Sequence, residues 1–132
     1  MTKIVVNGCF GGFGLSDEAV RRYAEVAGIT LYDYRDSDFG YTSWYRVPRE
    51  EYERLTGSGD WEAANEVYFS VNDMSRTDPA LVQVVEELGK RANDSFADLY
   101  IVEVSEGTRY RIDEYDGRES VMTIDDYEWS VA

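Results

Sequence analysis

The sequence predicts an α+β fold, in which a mainly antiparallel sheet packs against two main helices. An apolar run at residues 3–7 enters a glycine-rich loop that leads into a helix start. A second helical pattern begins at Asp78, and the last third of the chain alternates β-prone runs with turn residues. Helices and antiparallel strands in separate stretches of chain are typical of this class.

The N-terminal part predicts one strand followed by one helix. Residues 3–7 form the strand, which we expect to be buried, and residues 17–27 form the helix. Ser16 can cap the helix with its hydroxyl, and acidic residues follow in the first turn, where the helix dipole favours negative charge. Gly28 is placed to end the helix.

The middle of the chain predicts shorter elements. Residues 29–34 favour a strand, and residues 35–45 favour an exposed turn or hairpin that carries aromatic side chains. Pro48 and the acidic residues after it predict a short helix, and residues 56–60 predict a surface loop. Residues 61–71 are ambiguous, because their first half favours helix and their second half favours strand.

The second main helix begins at Asp78 as N-cap and Pro79 as first helical residue. Three β-prone runs follow, at residues 99–104, 109–115 and 121–124. Asp116 and Gly117 form a strong signal for a tight hairpin turn. These runs predict a C-terminal three-stranded meander.

Composition limits the classes of partner. A chain of 132 residues with 43% hydrophobic residues predicts a single domain over residues 1–132. Its 27 acidic and 13 basic side chains give a formal net charge of −14, which disfavours direct binding to nucleic acid or anionic lipid. The same field attracts a basic protein surface, although solubility alone also explains it.

The lack of a recognisable targeting signal and the single cysteine predict a cytoplasmic protein. No apolar run approaches the roughly 20 residues that span a bilayer, and the first residues lack a signal-peptide pattern. Cys9 is the single cysteine, so no intramolecular disulfide can form. We read this thiol as a small buried apolar residue.

The chain contains no histidine, which excludes Ser-His-Asp and Cys-His catalysis and leaves too few ligands for a zinc site. No recognisable catalytic constellation replaces them. The sequence therefore predicts a non-enzymatic protein without a cofactor or metal. An enzyme that uses carboxylates, tyrosine or arginine is a third alternative, without an assignable reaction.

Four segments of the sequence are distinctive: KIVVNGCFGGFGLS at residues 3–16, RTDPALV at 76–82, VVEELG at 84–89 and IDEYDG at 112–117. Together they resemble a family of small uncharacterised proteins of bacteriophages and prophages. The resemblance implies an accessory role in the cytoplasm of an infected bacterium. It carries over no catalytic or binding residues.

Two groups of side chains are candidates for an interface. The aromatic group consists of Tyr41, Trp44, Tyr45 and Arg46, whose residue types anchor binding hot spots, although core packing explains them equally well. The acidic group consists of Asp113, Glu114, Asp116 and Glu119. A calcium site or an acid–base pair is less well supported for this group than charged strand edges, since the EF-hand spacing is incomplete.

The leading functional prediction is a protein that binds a host protein with a basic surface, as a counter-defence or nucleic-acid-mimicking inhibitor. The alternative is a nucleotide-like ligand held by the glycine-rich loop, at Asn7, Gly11, Gly12, Gly14 and Ser16. The glycine spacing matches neither G-x-G-x-x-G nor the P-loop. A tight strand-to-helix turn, with Phe10 and Phe13 in the core, explains the loop better.

Overall fold

The computed structural model describes residues 1–35 and 42–123 of the chain. Within these ranges it contains four α-helices and antiparallel strands, and the predicted α+β class is confirmed. In order, the elements are β1 (Thr2–Asn7), α1 (Asp17–Ala27), β2 (Tyr32–Arg35), β3 (Thr42–Tyr45), α2 (Arg49–Gly57), α3 (Trp61–Val67), β4 (Tyr68–Phe69), α4 (Pro79–Leu88), β5 (Leu99–Val104), β6 (Tyr110–Tyr115) and β7 (Arg118–Thr123).

The strands form three antiparallel groups. β1 pairs with β5, with Val5 opposite Ile101. β2, β3 and β4 form a small sheet in that order, and β6 and β7 form a hairpin. β5 and β6 occur where the sequence predicts them, and β7 begins at Arg118 instead of residue 121. The hydrogen-bonded neighbour of β5 is β1 and not β6. A strand has two edges, and sequence pattern alone does not say which partner takes each edge.

β1 lies between two apolar layers, because successive side chains of a strand point to opposite faces. Val5 packs with buried residues of α1 and α4. Ile4 and Val6 point the other way and form a second cluster with Val104, against which the hairpin residues Ile112 and Val121 pack. Ile4, Val5 and Val6 have no exposed surface, so β1 is the centre of the fold.

Both main helices begin and end as their sequences predict. The Ser16 hydroxyl accepts a hydrogen bond from Ala19 N at the start of α1, and Gly28 adopts a left-handed conformation at its end. Asp78 caps α4 by accepting from Ala80 N, with Pro79 as the first helical residue. No helix within the described ranges is long and apolar enough to cross a membrane.

The ambiguous segment after residue 60 contains both predicted structures in succession. Residues Trp61–Val67 form α3, with Asp60 as N-cap, and Tyr68–Phe69 form β4. β4 adds to β3 with Phe69 opposite Trp44. Both of these aromatic side chains are buried in the core shared with α1 and α4.

Candidate functional site

Asn7, at the end of β1, joins three loops through its side chain. Its Oδ1 accepts a hydrogen bond from Asp98 N at 2.8 Å. Its Nδ2 donates to Cys9 O and to Gly117 O, each at 2.8 Å. The side chain is completely buried. Asn7 therefore holds the glycine-rich loop, the segment before β5 and the turn of the β6–β7 hairpin against one another.

Two glycines allow these loops to approach closely. A Cβ at Gly11 would lie 2.0 Å from Phe96 O, and a Cβ at Gly117 would lie 2.5 Å from Phe10 O. No side chain fits at such distances from backbone atoms. Contacts within the chain therefore explain why glycine occupies these positions.

Glu119 belongs to the interior, which corrects its place in the predicted acidic surface group. Its carboxylate forms a two-pronged ion pair with Arg76, with Nη1–Oε1 and Nη2–Oε2 distances of 2.5 and 2.9 Å. Oε1 also accepts a hydrogen bond from Asn7 N at 2.9 Å. The Arg76 guanidinium lies over the Phe13 ring, 3.6 Å from its centroid. Alternation along β7 turns Glu119 toward β1, where these partners satisfy its charge.

The other members of the acidic group lie at the surface and differ in whether they form an ion pair. The Asp113 carboxylate pairs with Arg111, with an Nε–Oδ1 distance of 2.8 Å. Glu114 and Asp116 are exposed and form no ion pair with any described residue. Asp116 has a φ of 51° in the hairpin turn. Within the described residues, two carboxylates without an ion-pair partner therefore lie beside or within the turn.

Three exposed aromatic side chains come from the segments that meet around Asn7. Phe10, Phe96 and Tyr115 are 58%, 70% and 78% exposed, and each comes from a different one of the three joined loops or strand ends. The rings of Phe10 and Tyr115 meet edge to face, with centroids 6.5 Å apart. We call Phe10, Phe96, Glu114, Tyr115 and Asp116 the tip surface.

The exposure of Phe10 corrects the expectation that both phenylalanines of the glycine-rich loop are buried. Phe13 packs against the core and under Arg76, as expected. Phe10 instead lies outside, because Gly11 brings the backbone against Phe96 O and the hairpin turn closes over Phe10 O. Spacing in the sequence does not separate the two rings.

The predicted aromatic group does not form one exposed face. Trp44 is 6% exposed and belongs to the core, so it is not available to a partner. Tyr45, on the opposite face of β3, is half-buried against Tyr52, with ring centroids 4.4 Å apart. Arg46 is exposed, and its guanidinium lies 5.3 Å from the centroid of Phe69. Tyr41 lies outside the described residues.

The start of α1 is already surrounded by groups that oppose anion binding. The Ser16 hydroxyl donates to Arg91 O at 2.5 Å while it caps the helix. Asp17 and Glu18 occupy the first turn. Asp94 Oδ2 lies where a Cβ on Gly14 would be, at 1.9 Å. Among the proposed ligand-loop residues, Asn7 and Ser16 are thus engaged, Gly11 and Gly14 face other protein atoms, and Gly12 has a φ of 94°.

Sequence reasoning did not identify Phe96 or the exposure of Phe10. The Asp116-Gly117 turn signal places the adjacent Tyr115 at the end of a hairpin, so this position was readable in the sequence.

No group of three or more Cys, Asp and Glu side chains in the described parts of the chain is arranged to hold a metal. Comparison of the chain with protein-family models, curated proteins and solved structures gives no match.

Proposed function

We propose that this chain is a phage accessory protein that binds a basic surface of a host protein in the bacterial cytoplasm. The observation that carries the proposal is the tip surface, where the exposed rings of Phe10 and Tyr115 meet and the carboxylates of Glu114 and Asp116 pair with no cation among the described residues. The phage context rests on the resemblance of four sequence segments to phage and prophage proteins.

The residue types of the tip surface suit binding. Large exposed aromatic side chains anchor interfaces, because they bury much area for little loss of conformational freedom. The loops that carry them are held by the fully buried Asn7 side chain, which reduces the ordering cost on association.

Charge supports a basic partner. On the helices, cations often neutralise nearby carboxylates, as Arg22 does for Glu87 and Lys3 for Glu86. The Arg22 hydrogen bonds, followed by one from Gln83, lower the pKa of Glu87 to about 2. Glu114 and Asp116 have no such cation among the residues that the structure describes, and the whole chain carries a formal charge of −14. This field accelerates encounter with a positive surface.

The class of partner follows from that charge. Positive grooves are typical of proteins that bind nucleic acid backbones. An acidic surface with aromatic anchors that occupied such a groove would compete with the nucleic acid. We therefore propose an inhibitory role, as a counter-defence or nucleic-acid-mimicking protein.

Affinity capture from nuclease-treated host lysate tests the proposal. The tip variant carries Phe10→Ser, Tyr115→Ser, Glu114→Gln and Asp116→Asn. Its matched control carries Trp61→Ser, Tyr68→Ser, Glu62→Gln and Glu66→Gln, which remove two exposed aromatics and two charges from α3 and β4. Near-ultraviolet circular dichroism establishes that both variants are folded.

We expect a host protein that the wild type and the control retain and the tip variant loses. The captured protein should release nucleic acid when the wild type is added. Retention by the tip variant, or loss by both variants, contradicts the proposal.

A further inference from the structure

The edge of β5 that faces away from β1 is a second docking surface, and we propose that it binds an extended basic segment of a partner protein as an additional antiparallel strand. None of its residues belongs to the tip surface, so it stands independently of the proposed function. Strand addition of this kind takes its affinity from main-chain hydrogen bonds and its specificity from the side chains beside them.

The hydrogen bonds of β1 show which backbone groups of β5 face outward. Val5 N donates to Arg76 O at 2.9 Å, so the backbone groups of Val5 point away from β5. In an antiparallel pair, two residues directly opposite each other exchange either both hydrogen bonds or none. Ile101 lies opposite Val5, so its N–H and C=O also point away from β1. The same alternation turns the backbone groups of Glu103 to this outer edge.

The outward groups of Ile101 and Glu103 are available to a further strand. Leu99 faces the same edge, and its N–H donates to Asn93 Oδ1 at 2.9 Å. Within residues 1–35 and 42–123, neither Ile101 N nor Glu103 N donates a hydrogen bond in this way. The edge therefore presents two donors and two acceptors at the spacing of an antiparallel ladder.

The side chains beside this edge are apolar on both faces of the sheet. Leu99 and Ile101 pack against the core shared with α1 and α4, and each keeps part of its surface exposed. Val102 points the other way, packs against Ile4 and Val6, and is also partly exposed. An added strand would cover these remaining apolar surfaces, which makes its binding more favourable.

Charge favours a basic segment at this edge. Glu103 is exposed and forms no ion pair with any described residue. Lys3 lies opposite Glu103 but pairs with Glu86, with an Nζ–Oε2 distance of 3.1 Å. A cation of the added strand directly opposite Glu103 would be attracted to it. The residue two positions later in that strand lies opposite Ile101, where an apolar side chain fits.

A second copy of the chain suits the edge less well. Its β5 would bring the same carboxylate and no cation, and each chain carries a formal charge of −14. Like charges of this size oppose association. The edge therefore favours a segment with the pattern basic, any residue, apolar.

The experiment is an NMR titration of the full ¹⁵N-labelled chain with the capped peptide Thr-Lys-Thr-Val-Thr, whose lysine and valine are designed to lie opposite Glu103 and Ile101. We expect saturable shifts at residues 100–104 and slower solvent exchange of the Ile101 and Glu103 amides. Methylation of the lysine and valine backbone nitrogens, which face the edge, should weaken binding by about tenfold. The matched control carries methyl groups on the backbone nitrogens of the last two threonines, which face away, and should bind as the parent peptide does.

Two variants of the chain separate charge from backbone pairing. Glu103→Gln keeps the outward N–H and should weaken the peptide by about threefold. Glu103→Pro also removes that N–H, without breaking a hydrogen bond to β1, and should abolish saturable binding. Unchanged amide shifts in α1 establish that both variants are folded.

Slow exchange of the Ile101 and Glu103 amides in the free chain would show that the edge is already covered, and it overturns the inference. Equal losses with the two methylated peptides, or equal binding of Thr-Glu-Thr-Val-Thr, overturn it as well. A dimer in sedimentation that Glu103→Pro dissociates would make a second copy the occupant and refute the basic segment. None of these outcomes alters the test of the tip surface by capture of a host protein.

Discussion

The guanidinium of Arg76 and the carboxylate of Glu119 form a buried two-pronged ion pair along the edge of β1 that faces away from β5. Arg76 O accepts a hydrogen bond from Val5 N at 2.9 Å, and Glu119 Oε1 accepts one from Asn7 N at 2.9 Å. β1 therefore has a strand on one edge and an ion pair on the other. The Arg76 carbonyl and the Glu119 carboxylate satisfy backbone groups that a third strand would otherwise satisfy.

Removal of one partner of this ion pair should be costly. Glu119→Gln leaves the Arg76 guanidinium buried without a counter-charge, and we expect a loss of about 3 kcal/mol in the free energy of unfolding. Urea denaturation followed by circular dichroism measures it. The control is Glu86→Gln, in the half-exposed pair with Lys3, which should cost less than about 1 kcal/mol. Equal costs for the two variants would show that the buried pair contributes no more than a surface pair.

The close contact at Gly117 predicts a steric penalty beyond backbone strain. Gly117 and Gly107 have φ values of 89° and 82°, so alanine is strained at both. A Cβ at Gly117 would also lie 2.5 Å from Phe10 O, whereas a Cβ at Gly107 meets nothing within 4 Å. We expect Gly107→Ala to cost about 1 kcal/mol. Gly117→Ala should cost clearly more and shift the amides of the glycine-rich loop; indistinguishable thermal unfolding of the two variants would contradict this contact.

Tyr23 predicts a loss of stability in alkali. Burial, followed by its hydrogen bond to Asp78 at 2.5 Å, raises the pKa of Tyr23 to about 12. In the unfolded chain a tyrosine ionises near pH 10, so the folded state favours the protonated hydroxyl. Protonated Tyr23 makes its full contribution to the free energy of unfolding below about pH 10. As the pH rises towards 12, this contribution of roughly 2–3 kcal/mol is lost.

Urea unfolding of the wild type and of Tyr23→Phe from pH 8 to pH 12 measures this dependence. The fall in the free energy of unfolding above pH 10 should be shallower in Tyr23→Phe, since phenylalanine has no ionisable group. Tyr115→Phe alters an exposed ring and should retain the wild-type profile. A profile unchanged by Tyr23→Phe would exclude Tyr23 as its source.

The glycine-rich loop should not bind nucleotides. Asp17, Glu18 and Asp94 place negative charge around the start of α1, which repels a phosphate group. We expect no change in the thermal unfolding midpoint with a panel of nucleoside triphosphates, dinucleotides and cyclic nucleotides. Sodium sulfate at matched ionic strength controls for general salt effects. A saturable rise with any nucleotide would revive the ligand-loop hypothesis.

Local signals in the sequence predict most of the elements. The caps at Ser16 and Asp78 and the Asp116-Gly117 turn depend on residues within a few positions, so their physics is readable in one stretch of chain. The choice of β1 as the neighbour of β5 depends on packing over the whole fold. No local pattern contains that information.

The site was harder to predict for the same reason. Glu119 looks like one more hairpin carboxylate until Arg76, 43 positions earlier in the chain, is placed beside it. Phe10 and Phe13 differ in burial because Gly11 touches a loop more than eighty residues away. A paired and an unpaired carboxylate are the same residue type in the sequence, and only the fold distinguishes them.

The dependence of β1 on β7 has a consequence during synthesis. β1 emerges from the ribosome before the other strands described, but Asn7 meets Gly117 and Glu119 only when the chain has grown 110 and 112 residues further. Until then one edge of this apolar strand is open to pairing with other nascent chains. The β6–β7 hairpin therefore protects the edge of β1 against aggregation only late in synthesis.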